Sequence, residues 1–211
     1  METYAGTRGP VAVERHRRDR LGGTEGNEAL TVAAAVALTL LLAAEGITLL
    51  KMDSLLSVHM IIGLVLIPPV LLKIGSTGYR FARYYTHSRP YVDKGAPPMA
   101  LRLLAPVLVL TTVGIFVTGA LLLSLGHKSD QLLFLHKASF IVWAGAFGIH
   151  FLWHLPHMVR SLPDYRSGAR TRQVPGSGLR GVLVAASLGA GVALAISLAG
   201  AISGWHGGPP G

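Results

Sequence analysis

Five apolar runs divide the 211-residue chain: Ala29 to Leu50, Leu55 to Leu72, Leu103 to Leu125, Leu132 to Leu155, and Gly181 to Ile202. Each is close to the roughly 20 helical residues needed to cross a hydrocarbon core. Backbone amides in lipid must be satisfied inside a helix or a closed barrel, and the ten-residue alternation of barrel strands is absent. The pattern therefore predicts an all-α integral membrane bundle of five transmembrane helices. Residues 1–28 read as an N-terminal tail, 29–203 as the membrane domain and 204–211 as a C-terminal tail. With 51% hydrophobic residues and a mean hydropathy of +0.50, little chain is left for a soluble domain.

Charge orients this bundle. The chain has 19 Lys and Arg against 10 Asp and Glu. Arg8, Arg15, Arg17, Arg18 and Arg20 precede the first run; Lys73, Arg80, Arg83, Arg89, Lys94 and Arg102 surround the second connection; Arg160, Arg166, Arg170, Arg172 and Arg180 fill the fourth. Only Lys51, Lys128 and Lys137 fall on the opposite side. The positive-inside rule then gives a multi-pass cell-membrane protein with a cytoplasmic N-terminus and an external C-terminus. A pI near 10.4 raises the question of nucleic acid. Bases spread over three juxtamembrane segments read instead as topology determinants with some attraction to anionic lipid, so no nucleic-acid partner is expected. Arg17-Arg18 lacks the apolar region and cleavage pattern of an export signal.

Absent cysteine excludes thiolate ligation, chain-bound iron–sulfur clusters, covalent haem attachment and disulfides. Histidine becomes the leading metal ligand. His59 and His136 each lie four residues inside an apolar run, and both runs enter the membrane from the same side. At 1.5 Å per residue they share a depth of roughly 6 Å. An intramembrane imidazole is costly and needs a partner, and each of these names the other. Such a pair suits the two axial positions of one haem. Gly63, four residues after His59 and on its face, would let a flat macrocycle approach the backbone.

The fourth run carries a stripe of His136, Phe140, Trp143, Phe147, His150 and His154 at spacings of 4, 3, 4, 3 and 4. Aromatics there would wall a planar cofactor, although Phe140 and Phe147 taken alone read equally well as core packing. His150 lies 14 residues beyond His136, about 21 Å along the axis. A second haem would need an inner-leaflet partner for it. At the matching position, 14 residues after His59, stands Lys73.

Other features carry less. Gly176 to Gly181 spells G-x-G-x-x-G without a preceding strand and reads as a juxtamembrane linker. His150 and His154 have zincin spacing without the glutamate. The last run, with Gly189-Ala190-Gly191, suits close helix packing. Glu45 lies near the depth of His59, where it could take a proton from a quinol or hydrogen-bond a ligand imidazole, or else reach to the headgroups. Lys73 to Tyr85 mixes bases and aromatics as an interfacial belt does.

On His59-x-x-x-Gly63, Leu135-His136-Lys137, and His136 with His150 four turns on, the chain resembles the prokaryotic membrane cytochrome b superfamily. That group includes bacterial cytochrome b561 and the small haem b subunits of respiratory oxidoreductases, and the resemblance covers about Leu55 to His157. It implies haem b, electron exchange with a membrane quinone, and another redox subunit as partner. Lys73 departs from the dihaem pattern. The expectation is an electron-transfer subunit holding one haem, with a second only if His150 finds a partner. Two alternatives stand beside it: a quinone-linked oxidoreductase acting on a small external substrate such as superoxide, and a haem-free scaffold or proton-relay transporter.

Overall fold

The structure is a computed structural model that describes residues 23–96, 98–126, 129–166, 174 and 176–205. All the regular structure among these residues is helical, with no strand. The elements are α1 (Gly23–Leu49), α2 (Met52–Tyr85), α3 (Arg89–Val92), α4 (Met99–Leu125), α5 (Asp130–Arg166), α6 (Ser177–Ser197) and α7 (Ala199–Trp205). Five of them, α1, α2, α4, α5 and α6, contain stretches long and apolar enough to cross a membrane. The bases before residue 23, Lys128, Arg170 and Arg172, and the tail beyond Trp205 lie outside the described residues.

The helices overrun the apolar runs that announce them. α1 starts at Gly23, so residues 23–28 belong to the bundle; Glu25 in the first turn complements the helix dipole. Asn27, in the same turn, donates from Nδ2 to the Ser76 carbonyl at 3.0 Å, tying the start of α1 to α2. α2 runs to Tyr85, well past Leu72, and turns out through His87 at φ 55°. Gly178 and Gly181 are in the first turns of α6 and so are helical, not linker.

Packing divides the bundle in two. α1 and α6 pack on α2, whereas α4 packs on α5; α2 touches α4 only lightly, and α7 bridges the halves by touching both. The α2 and α5 backbones hardly approach each other. Glycine sets two of these crossings. A Cβ on Gly191 of α6 would collide with the Val65 backbone on α2. Pro69 cannot donate to the Val65 carbonyl one turn back, so the oxygen it releases lies against the bare glycine. On the other side, a Cβ on Gly114 of α4 would stand 2.9 Å from Ser139 Oγ on α5.

Among the described residues the buried cluster where α2, α6 and α7 meet is small: Leu64, Ala195 and Ile202, with Met60, Leu123 and Leu198 packed around them. Trp205 in α7 donates from Nε1 to the Leu122 carbonyl of α4 at 2.8 Å, which closes the α7 bridge. Between 6% and 17% of each spanning window is buried, so most of its apolar surface faces outward. That is the exposure a bilayer tolerates and water does not.

Candidate functional site

The two halves meet through a pair of imidazoles. The rings of His59 on α2 and His136 on α5 lie with centroids 6.5 Å apart and planes at 89°. Because the two backbones stay apart, these side chains reach toward each other across the gap between the halves.

Each imidazole is held at Nδ1. His136 Nδ1 is 3.1 Å from the Ile115 carbonyl and 3.0 Å from Thr118 Oγ1, both on α4. A carbonyl only accepts, and the Thr118 hydroxyl already gives its proton to the Gly114 carbonyl at 2.6 Å. Nδ1 of His136 therefore carries the hydrogen, leaving Nε2 with its lone pair.

His59 is held the same way from α1. Its Nδ1 is 2.9 Å from Glu45 Oε1 and 3.2 Å from Thr48 Oγ1. The Thr48 hydroxyl donates to the Glu45 carbonyl at 2.6 Å, so its oxygen too is left to accept. Both side chains are mostly buried, at 20% exposure for His59 and 15% for Glu45. Both rings thus point Nδ1 at acceptors and leave Nε2 outside these contacts, each with its orientation fixed from behind.

Glycine permits both approaches. A Cβ at Gly119 would lie 3.3 Å from His136 Cε1, tighter than ordinary contact, so the bare backbone seats this ring. At Gly63 a Cβ would stand 3.7 Å from Glu45 Oε1, so the carboxyl borders the space this glycine leaves. Glu45, Thr48, Thr118 and Gly119 complete the surroundings of the pair. Glu45 alone among them was legible from its charge; the others are unremarkable letters until the helices are placed.

Phe140 and Trp143 continue from His136 along α5. Trp143 stacks on Phe147 at 4.7 Å with planes 7° apart, Phe140 leans on Trp143 at 6.2 Å, and Phe147 leans on Phe151 at 5.8 Å. Phe151, which is not in the stripe read from the sequence, joins the aromatic ladder. His150 makes no hydrogen bond among the described residues; its ring lies 4.6 Å from that of His154. Lys73 does not turn to it as a ligand would, since Nζ donates to the Thr31 carbonyl on α1 at 2.8 Å.

The residues fit a bis-imidazole haem. With metal–nitrogen bonds of about 2.0–2.1 Å and roughly 1.1 Å from nitrogen to ring centre, imidazoles on opposite sides of one metal have centroids about 6.3 Å apart. The observed 6.5 Å agrees with that span. A bare ion is less well served, because no three His, Cys, Asp or Glu side chains converge among the described residues. Comparison with protein-family models, curated proteins and solved structures finds no match.

Proposed function

We propose that this chain is a membrane b-type cytochrome, of the prokaryotic cytochrome b kind its motifs resemble, that passes electrons between a quinone and a partner redox protein. The observation that carries the proposal is the His59–His136 pair, spaced for one iron and fixed at both Nδ1 atoms. Haem held there by the two imidazoles would supply one-electron exchange, and two protein ligands suit electron transfer more than substrate binding at iron.

The protein's own part is positional. His59 and His136 would hold the iron from the two halves of the bundle. Thr48 with Glu45, and Thr118 with the Ile115 carbonyl, hold each Nδ1 and so aim Nε2. The Phe140–Trp143–Phe147 ladder excludes water along one wall. The distribution of bases supports a cytoplasmic N-terminus in the cell membrane; a reporter fused after Gly211 is then expected to read external, and a cytoplasmic reading would reverse that orientation.

The deciding measurement is the haem-to-protein ratio and absorption spectrum of the purified full-length chain. About one haem per chain with a low-spin, six-coordinate spectrum is expected. Protein that folds and purifies with no haem, even after haem supplementation, would remove the proposal.

A further inference from the structure

We infer that Glu45 is a positioning residue that makes His59 the more strongly electron-donating of the two ligands and lowers the reduction potential of the centre. The inference rests on the bis-histidine reading above. Its basis is an asymmetry between two otherwise matched imidazoles.

Each Nδ1–H is shared between a threonine oxygen and one further acceptor. Behind His136 that acceptor is the neutral Ile115 carbonyl at 3.1 Å, whereas behind His59 it is the Glu45 carboxyl oxygen at 2.9 Å. Hydrogen bonds to a carboxylate are shorter and roughly twice as strong as those between neutral groups. The Glu45 carboxyl has little else to do. Its second oxygen, Oε2, is buried without a hydrogen-bond partner, and no lysine or arginine pairs with Glu45 among the described residues. A carboxyl kept at membrane depth for one imidazole needs a reason, because burial of such a group is costly.

The consequence is electronic. A carboxylate drawing on Nδ1–H pushes electron density onto Nε2, and the oxidised centre carries one more positive charge than the reduced one. Glu45 therefore favours the oxidised state. The neutral carbonyl behind His136 gives no comparable bias. Thr48 and Gly63 serve this contact, the first by accepting from the same Nδ1 and the second by leaving room for Oε1.

The test is a spectroelectrochemical titration, at one fixed pH, of the haem-loaded full-length chain beside Glu45→Gln, Glu45→Asp and Glu28→Gln. Glu28 is the control, a carboxylate paired with Lys94 at 2.7 Å and remote from His59 in sequence. Glu45→Gln keeps the shape and an acceptor oxygen but removes the charge. It is expected to retain low-spin haem and to shift the one-electron equilibrium about tenfold toward reduction, a rise of about 59 mV. Glu45→Asp is expected to lie between it and the parent, and Glu28→Gln to match the parent.

A parental midpoint in Glu45→Gln would overturn the inference. Should Glu45→Gln lose haem, recovery of haem by Glu45→Asp supports it, whereas equal loss in both variants overturns it in favour of a steric role. If the parent itself holds no haem, the bis-histidine reading fails first, and the two failures are distinguishable.

Discussion

The two ends of the bundle are built on one register and finished differently. Glu45 meets His59 and Thr31 meets Lys73, so the same antiparallel pairing of α1 with α2 carries 14 residues along the hairpin. On α5, His136 and His150 repeat that interval. At the His59 end, α1 and α4 each bring acceptors to an imidazole: Glu45 and Thr48 on one side, Thr118 and the Ile115 carbonyl on the other. At the Lys73 end, the lysine is spent on α1, and His150 has no hydrogen-bonding partner among the described residues.

What distinguishes the pair proposed to bind iron from two polar residues at the same spacing is therefore the groups behind them. An imidazole free to rotate and to choose its tautomer delivers its lone pair to a given point only part of the time. Supporting residues that fix it are typically worth 10–100-fold in metal affinity. The His59 end has them twice over. The Lys73 end offers an ammonium engaged by the Thr31 carbonyl that, while protonated, has no lone pair to give.

The largest effect should come from the two imidazoles proposed as ligands. His59→Ala and His136→Ala are each expected to abolish the low-spin six-coordinate spectrum, with haem content falling by about tenfold or more. His150→Ala is expected to keep both spectrum and haem content. The contrast would be broken by His150→Ala removing about one haem equivalent while sparing the rest. That outcome would give the Lys73 end a centre of its own.

The architecture was legible because its signal is long: a run of about 20 apolar residues survives errors of several residues at either end. The ends themselves were not legible. α2 continues to Tyr85 through mixed polar and aromatic residues that hydropathy does not separate from a loop, and Asn27 belongs to α1 only because its amide finds Ser76. In the site, His59 and His136 announce themselves through the cost of an imidazole in lipid. Thr48, Thr118 and Gly119 do not, since threonines that bond back to their own helix and glycines in apolar runs are common. Their meaning depends on which helix faces which, and the sequence pattern gives only the order of the helices. Gly63 reads in the sequence as clearance for a macrocycle, and what the sequence does not show is that the Glu45 carboxyl borders the same space.

The smallest effect should come from Lys73, and it sharpens the comparison by being small. Its ammonium donates to the Thr31 carbonyl, while the Thr31 hydroxyl lies 3.0 Å from Ser76 Oγ and Asn27 holds the Ser76 carbonyl. The α1–α2 hairpin thus keeps two ties at this end without the lysine. Lys73→Met preserves the length and apolar body of the side chain and removes a charge that is costly to bury. Loss of one hydrogen bond, about 1 kcal/mol, is then offset by relief of desolvation, as when other buried charges are replaced by apolar residues. Stability is expected to stay within about 1 kcal/mol of the parent, with haem content, spectrum and midpoint potential unchanged. Thermal unfolding monitored by helical circular dichroism, beside the haem-to-protein ratio, checks both halves of the statement. Reduced haem content in Lys73→Met would mean that the ammonium serves the cofactor, as a clamp on its carboxylates or as a ligand, and the two ends of the bundle would no longer differ in kind.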